Sequence, residues 1–360
     1  MKFLTDMDEK EVKTGGKTDK KRIILAAALS FSIFTLFFVC LFSWLATLKS
    51  MSAASSQNQR KNEKNIADEL YQNIVSNKTT DRYPPNEYFP NNLEPLNYDN
   101  FDISAKAYAV MDRDSRELLY AKNLTQGLPI ASLAKITTAI VTLENSSLTD
   151  VFTVSPTASE VGEASMYLSE GERVTVEELL YGLMLPSGND AAEVLAEGVG
   201  IKHLTDNKME IDRKKGREWF IMEMNGKAQS IGMMDTYFFN PTGLDEETRE
   251  KSSFSTALDL LALTNYALSN PTFAKVVSTK QISFPEKKDF NKGFYLLNLL
   301  QLDRSFPGIK GVKPGNSVFA RETLSSYIER DGRRIIVVLL GSSYTKDDVV
   351  KIYKRIFEKN

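Results

Sequence analysis

The stretch Arg334–Gly341 reads RIIVVLLG, an unbroken run of β-branched and aliphatic residues. Such a run is typical of a strand that is buried on both faces at the centre of a sheet. The segment Thr345–Lys359 follows it and repeats apolar residues at helical spacing, which predicts an amphipathic helix. This end of the chain is therefore expected to supply a central strand and a helix that packs on the sheet.

Apolar runs typical of strands also occur near the start of the region with regular hydrophobic patterning, after about residue 101. Ala107–Met111 and Glu117–Tyr120 are apolar runs joined by the polar turn Asp112–Ser115, which predicts a hairpin. The helical patterns between the two strand regions start at Ser132 and continue at Val176–Met184, Asp190–Glu197, Gly216–Ile231 and Ser255–Ser269. A sheet built from both ends, with helices between, predicts one α+β domain over residues 101–360, including a helical subdomain.

The composition excludes several classes of chemistry. Hydrophobic residues make up 42% of the chain and charged residues 26%, which is ordinary for a globular protein and excludes a multi-span transporter. The net charge of −2 gives no support for nucleic-acid binding, which requires a basic surface. With Cys40 and His203 as the only cysteine and histidine, a Cys/His zinc site and an intrachain disulfide are excluded. No metal or organic cofactor is expected, and His203 is given no catalytic role.

An uncharged segment near the amino terminus predicts a membrane span. Residues 23–48 carry no charge, and a helix of about 26 residues is roughly 39 Å long, enough for a bilayer core of about 30 Å. Basic residues cluster just before the span, while Lys49 stands nearly alone after it. The positive-inside bias then predicts a cytoplasmic tail at 1–22 and a single-pass protein of the cell membrane, with the remainder extracytoplasmic. The alternative is a cleaved signal peptide with its cleavage site near Ser52–Ala54.

Residues 49–100 predict a linker between the span and the domain. The segment is rich in asparagine and proline, which interrupt regular periodicity. Residues 60–75 are the exception, because Ile66, Leu70 and Ile74 repeat on one helical face. The segment is interpreted as a spacer that lifts the domain off the membrane, and a short partner-binding helix remains open as an alternative.

The first motif with possible chemistry is S-x-x-K at Ser132–Lys135. Residues i and i+3 share a helical face, so the lysine amine can reach the serine hydroxyl. A backbone N–H at a helix N-terminus lies in positive potential, which suits a developing oxyanion. A lysine acts as a base only when it is neutral, which requires burial or a second cation nearby. The motif alone is weak, since Ser343–Lys346 also matches it and is interpreted as an ordinary loop.

Two further short motifs follow. Ser187–Asn189 reads S-G-N between two helical patterns, and by itself it predicts only a turn with a polar residue that caps the next helix. Lys313–Gly315 reads K-P-G just before two late strands, and by itself it predicts a turn with a surface lysine. Neither motif carries much weight alone.

Taken together and in this order, the three motifs resemble the active-site triplet of penicillin-binding proteins and serine β-lactamases. The flanking stretches YAVMD, LPIASLAKITTAIV, FFNPTGLD and FSTALDLL are similar to those of serine-type D-Ala-D-Ala carboxypeptidases, the low-molecular-weight penicillin-binding proteins. The resemblance begins at about Asp102. It implies a β-lactamase/transpeptidase-like α+β fold, in which an antiparallel sheet is flanked by helices and joined to a helical subdomain.

The resemblance also implies roles for the residues of the first two motifs. Ser132 is the expected nucleophile, and Lys135 is its general base. Ser187 is expected to relay a proton to the leaving amine. Asn189 is expected to hold Lys135 or the substrate amide.

The third motif is implied to bind the substrate, through Lys313, Gly315 and Asn316. Lys313 is expected to bind the terminal carboxylate and to keep Lys135 neutral by like-charge repulsion. The N–H groups of Ser132 and Asn316 are expected to form an oxyanion hole. The implied reaction releases the terminal D-Ala from a peptidoglycan stem peptide through an acyl-enzyme, and the same acylation would make β-lactams inhibitors.

The chain departs from the family pattern at Pro314, where threonine or serine is usual. Proline removes a hydroxyl that would bind the substrate carboxylate and removes a strand N–H, a loss that an edge strand tolerates. Arg321 stands where glycine is common and is a hypothetical alternative contact for the carboxylate. A weakened homologue that binds wall peptides or partners, and a D,D-endopeptidase, remain open alternatives. A β-lactamase with a glutamate base is disfavoured, because no Glu-x-x-x-Asn element lies between Asn189 and Asn240.

Overall fold

A computed structural model describes residues 87–98, 101–300 and 305–358. Within these residues the strands are β1 (Ala107–Asp112), β2 (Leu118–Lys122), β3 (Leu128–Pro129), β4 (Val151–Thr153), β5 (Arg173–Thr175), β6 (Phe254–Ser255), β7 (Gln281–Phe284), β8 (Phe294–Leu297), β9 (Ile309–Ser317), β10 (Arg321–Arg330) and β11 (Arg333–Ser342). Five of them form one antiparallel sheet in the order β2-β1-β11-β10-β9. The earliest and the latest of these strands therefore share one sheet, as the sequence predicts.

Helices cover both faces of this sheet. They are α1 (Ala134–Asn145), α2 (Pro156–Ser159), α3 (Val176–Met184), α4 (Asn189–Asp206), α5 (Arg213–Ile231), α6 (Ala257–Ala267), α7 (Pro271–Ser278) and α8 (Thr345–Phe357). Helix α6 packs on β1, β10 and β11, and α8 packs on β10 and β11. Helices α1, α4 and α5 pack on one another and form the helical subdomain.

Strand β11 lies at the centre of the sheet because its side chains enter two separate cores. The residues in the larger core, with α6, are Ile336, Val338 and Leu340, and those in the smaller core, with α8, are Ile335, Val337 and Leu339. All of these side chains are fully buried. Alternating side chains point to opposite faces of a strand, so burial on both faces requires the continuous apolar run seen in the sequence.

Strand β9 is an edge strand of the sheet and pairs with β10. Pro314 lies opposite Leu324 in this ladder. The carbonyl oxygen of Pro314 accepts a hydrogen bond from Nζ of Lys313 at 3.1 Å, as expected of a residue whose polar groups face away from β10. An edge position of this kind accommodates proline without loss of a ladder bond.

Several element bounds differ from the predicted ones. A single 3-10 turn, Ala131–Leu133, precedes α1, and α4 continues beyond Glu197 to Asp206. Lys313–Gly315 lie inside β9 rather than before it. The strand pairs β3–β6, β4–β5 and β7–β8 were not predicted, because strands of two to four residues carry too little periodicity.

Residues 87–98 pack against the domain ahead of β1. The side chain of Phe89 is buried, and the N–H of Asn91 donates to the carbonyl oxygen of Arg116. The predicted cytoplasmic tail, the membrane span at 23–48 and the linker up to residue 86 lie outside the described residues. Among the described helices, none combines the length and the apolar character that a membrane crossing requires.

Candidate active site

Ser132 lies at the head of α1, within the 3-10 turn Ala131–Leu133. Ala131 has a left-handed backbone with φ of 48°, which is uncommon for alanine. The N–H of Leu133 donates to the carbonyl oxygen of Ile130 and closes the turn. The turn therefore holds the serine one helical turn ahead of Lys135, as its spacing predicts.

The amine of Lys135 is fully buried and contacts the serine hydroxyl. Its Nζ lies 3.1 Å from Oγ of Ser132, 2.7 Å from Oδ1 of Asn189 and 2.6 Å from the carbonyl oxygen of Thr242. The two oxygens of Asn189 and Thr242 can only accept hydrogen bonds. A neutral amine has two N–H groups and one lone pair, so these acceptors leave the lone pair facing the hydroxyl. The arrangement suits transfer of the hydroxyl proton to the amine.

The two lysines of the site have lowered pKa values. Burial holds the pKa of Lys135 well below its usual value, and the charge of Lys313 lowers it further. The carboxylates of Glu163, Glu193 and Asp190 act in the opposite direction. Burial lowers the pKa of Lys313 to about 7. The neutral form of Lys135 is therefore favoured relative to an exposed lysine, and Lys313 titrates near neutral pH.

The turn Asn240–Gly243, after α5, supplies the Thr242 carbonyl. Oδ1 of Asn240 accepts from the N–H of Thr242 at 3.2 Å, from its hydroxyl at 2.9 Å and from the N–H of Gly243 at 2.7 Å. Gly243 has φ of 77°, and a Cβ there would lie 1.9 Å from the carbonyl oxygen of Ala131. Glycine is therefore required. This turn lies within the FFNPTGLD stretch, whose resemblance to the family predicts no role for its residues.

The turn Ser187–Asn189 leads into α4. Ser187 has a left-handed backbone with φ of 66°, and its side chain is largely buried. A Cβ at Gly188 would lie 2.7 Å from Oδ1 of Asp190, so the close approach requires glycine. Asn189 is the first residue of α4, and its side-chain oxygen accepts a hydrogen bond from the amine of Lys135. Ser187 lies two residues before Asn189, and its hydroxyl makes no hydrogen bond with Ser132 or Lys135 among the residues that the structure describes.

Strand β9 forms a second wall of the site. A Cβ at Gly315 would lie 3.0 Å from the backbone nitrogen of Ser132 and 2.5 Å from Oγ1 of Thr323, so the strand passes this close only because the residue is glycine. Polar groups of alternate strand residues point the same way, so the N–H of Asn316 follows the outward direction of Pro314.

Other residues considered from the sequence make different contacts. The guanidinium of Arg321 donates to Oγ of Ser343, just after β11. The ring of His203 stacks on Trp219 with centroids 3.9 Å apart, a packing contact between α4 and α5. Lys346 is exposed in the first turn of α8 rather than in a loop. Across residues 87–98, 101–300 and 305–358, no cluster of three or more His, Cys, Asp or Glu side chains is arranged to hold a metal ion.

Comparison with known proteins identifies relatives over most of the domain. Residues 94–344 match the peptidase S11 family, described as D-alanyl-D-alanine carboxypeptidase. The chain is 30% identical over 257 residues to the D-alanyl-D-alanine carboxypeptidase DacF of Bacillus subtilis, an alignment that covers 70% of this chain and 61% of that protein. It is 31% identical over 241 residues to the D-alanyl-D-alanine carboxypeptidase DacB2 of Mycobacterium tuberculosis, an alignment that covers 66% of this chain and 75% of that protein. The match to the Bacillus protein thus spans less than two thirds of that protein's length.

The fold is also similar to that of solved structures. The crystal structure of the Streptomyces K15 DD-transpeptidase superposes with a TM-score of 0.66 and 29% sequence identity, over 72% of this chain and 100% of that chain. The predicted α+β fold of the penicillin-binding/transpeptidase type is therefore confirmed. With the family match over 94–344 and this shared fold, the chain belongs to the peptidase S11 family of D-alanyl-D-alanine carboxypeptidases.

Proposed function

We propose that this chain is a membrane-anchored serine D,D-carboxypeptidase that releases the terminal D-Ala of a peptidoglycan stem peptide through an acyl-enzyme on Ser132. The observation that carries the proposal is the 3.1 Å contact between Nζ of Lys135 and Oγ of Ser132. The other partners of the amine, Asn189 and Thr242, offer it only acceptors. An amine held in this way accepts the proton of the serine rather than donating one.

Acylation begins when Oγ of Ser132 attacks the carbonyl carbon of the D-Ala–D-Ala bond and its proton passes to Nζ of Lys135. The carbonyl oxygen gains negative charge and accepts hydrogen bonds from the N–H groups of Ser132 and Asn316. One such donor contributes about 2.7–4 kcal/mol to the transition state. The C–N bond then breaks, and Ser187 relays the proton from Lys135 to the leaving nitrogen. D-Ala departs, and the shortened peptide remains as an ester of Ser132.

Deacylation uses the same groups with water as the nucleophile. Lys135, again neutral, takes a proton from the water as its oxygen attacks the ester carbon. The ester C–O bond breaks, and the proton passes to Oγ of Ser132. One water is consumed and one D-Ala is released in each cycle, and the shortened peptide leaves as its carboxylate.

Substrate binding is assigned to the edge of β9. Lys313 in its charged form binds the terminal carboxylate of the stem peptide, and the bound carboxylate in turn stabilises that charged form. Gly315 lets the strand approach the backbone of Ser132 closely, so a peptide bound along the edge of β9 would lie beside the serine. β-Lactams carry the same carboxylate and a strained amide, so they are expected to acylate Ser132 and to inhibit the enzyme.

The anchoring part of the proposal rests on the sequence. The uncharged residues 23–48 would hold the chain in the cell membrane, with 1–22 in the cytoplasm. Residues 49–100 would link the span to the catalytic domain at 101–360. Protease added outside intact spheroplasts is expected to release this domain, and protection of the domain would contradict the orientation.

The experiment that tests the activity combines two measurements on the full chain. A fluorescent penicillin is expected to label the wild type and not Ser132→Ala. D-Ala release from a stem pentapeptide is expected from the wild type and to be lost in Ser132→Ala and Lys135→Ala. Labelling without release of D-Ala would contradict the carboxypeptidase.

A second candidate is a catalytically weakened homologue that binds wall peptides or partners. The observation that favours it is Pro314, which lacks the hydroxyl that family members offer to the substrate carboxylate. A folded wild type that neither takes up penicillin nor releases D-Ala would support this candidate. Cleavage of a cross-linked dimeric muropeptide faster than a free pentapeptide would instead support a D,D-endopeptidase.

A further inference from the structure

The loop 160–168, between α2 and β5, is fixed against the residue that binds the general base. The backbone N–H of Asn189 donates to the carbonyl oxygen of Ala164 at 2.7 Å, and its Nδ2 donates to the carbonyl oxygen of Gly162 at 3.1 Å. These two bonds lie on either side of Glu163. The backbone of this glutamate is therefore held beside the catalytic groups.

Asp190 fixes the second half of the same loop. Its carboxylate accepts from Oγ of Ser165 at 2.6 Å, from the N–H of Met166 at 3.0 Å and from the N–H of Leu168 at 2.9 Å. The side chains of Met166 and Leu168 are also buried. A side chain carried by this loop thus has a defined position relative to the site.

The backbone of Glu163 is itself unusual. It is left-handed, with φ of 57°, and follows Gly162, whose φ is 73°. This conformation is unfavourable for glutamate and persists because the neighbouring bonds impose it. The acidic side chain at this position is exposed, on a loop whose backbone is bonded to Asn189 on either side of it.

The carboxylate of Glu163 is exposed and makes no hydrogen bond or ion pair with any other residue that the structure describes. It nevertheless acts on the site, because its charge raises the pKa of Lys135 against the larger effect of burial. The other carboxylates that act on Lys135 are engaged, Glu193 with Arg217 and Asp190 with the loop. Glu163 is therefore the acid of this set whose charge is available to a ligand.

We infer that Glu163 selects stem peptides in which the diamino acid before D-Ala-D-Ala carries a free amine. This inference rests on the proposed function and specifies its substrate as a stem that is not cross-linked through that amine. A peptide extended along β9 with its carboxylate at Lys313 directs its preceding residues past Ser132 toward the mouth of the cleft. An ammonium group there forms an ion pair with Glu163, whereas an acylated amine has no charge to pair.

The test compares two peptides that differ only in this amine, Nα-acetyl-L-Lys-D-Ala-D-Ala and Nα,Nε-diacetyl-L-Lys-D-Ala-D-Ala. One partly exposed ion pair contributes up to about 1 kcal/mol, so the wild type is expected to prefer the free amine by about fivefold in kcat/KM. Glu163→Gln is expected to bring this ratio close to one. High salt is expected to lower the ratio of the wild type, because it screens exposed charges.

Asp289→Asn is the matched control. Asp289 is also an exposed acid with a left-handed backbone, with φ of 65°, but it lies in the loop between β7 and β8. The control removes the same charge and is expected to keep the preference. Glu163→Lys is a second variant, which is expected to reverse the preference by repelling the ammonium group.

The outcomes separate this inference from the proposed function. A wild-type ratio near one, or an unchanged preference in Glu163→Gln, overturns the role of Glu163 while D-Ala release still supports the carboxypeptidase. Release of D-Ala from neither peptide refutes the carboxypeptidase, and the inference with it. Because each ratio is taken within one protein, a change in the pKa of Lys135 affects both peptides equally.

Discussion

Pro314→Thr is expected to raise kcat/KM for D-Ala release by about ten- to a hundredfold. The residue lies on the open edge of the sheet opposite Leu324, beside the Lys313 amine that is proposed to bind the carboxylate. A threonine adds one hydroxyl that can donate to this carboxylate, and a hydrogen bond to a charged group contributes about 1.5–3 kcal/mol. Each 1.36 kcal/mol corresponds to tenfold in rate, which gives the stated range. The measurement is steady-state release of D-Ala from a stem pentapeptide.

The control for this prediction is Pro314→Val, which restores the backbone N–H and matches the shape of threonine without its hydroxyl. The backbone N–H of this residue faces away from β10, so valine is expected to leave kcat/KM close to that of the wild type. If valine and threonine raise the rate equally, the backbone rather than the hydroxyl limits the wild type. If neither raises it, the reasoning about the missing carboxylate contact is refuted.

Three further predictions concern the base, the turn behind the serine and the lone histidine. The kcat/KM value is expected to rise with pH as Lys135 loses its proton, because only the neutral amine can accept the proton of the serine. It is expected to fall above a pH of about 7, where Lys313 of the free enzyme loses the charge that binds the carboxylate. A kcat/KM value that keeps rising to pH 9 would contradict this prediction. Gly243→Ala places a Cβ 1.9 Å from the carbonyl oxygen of Ala131 and is expected to slow acylation by penicillin about a hundredfold, measured by stopped-flow. An unchanged acylation rate would show that this turn does not position the serine. His203→Ala is expected to keep full activity and to lose about 0.5–1.5 kcal/mol of unfolding free energy in urea titrations, and an inactive but folded variant would show that the histidine has a role in the site.

The long elements could be predicted from the sequence because their burial patterns repeat many times. The central strand β11 and the helix α8 follow directly from Arg334–Gly341 and the apolar spacing after it. The contact between Ser132 and Lys135 also follows from their i, i+3 spacing, which places both side chains on the same face at the start of a helix. The short strand pairs could not be predicted in this way, since their pairing is set by the tertiary fold rather than by local pattern.

The residues near the site that could not be predicted from the sequence depend on backbone groups and backbone conformation. Thr242 holds the amine of Lys135 with its carbonyl oxygen, a group that every residue has, so its side chain gives no signal. Glu163 gains its position from a left-handed backbone and from bonds to its neighbours. The Asn240–Gly243 stretch did contain a clue, since asparagine and glycine three residues apart are typical of a tight turn.

The antiparallel pairing of β1 with β11 has a consequence for the order of folding. Ala107 is opposite Leu340, so the first strand finds its neighbour roughly 230 residues later in the chain. During synthesis the hairpin of β1 and β2 is made first, and the edge of β1 that pairs with β11 stays unpaired until β11 has been synthesised. Contacts this distant in sequence slow folding and expose the chain to aggregation, so the domain is expected to depend on chaperones until β11 pairs with β1 and β10.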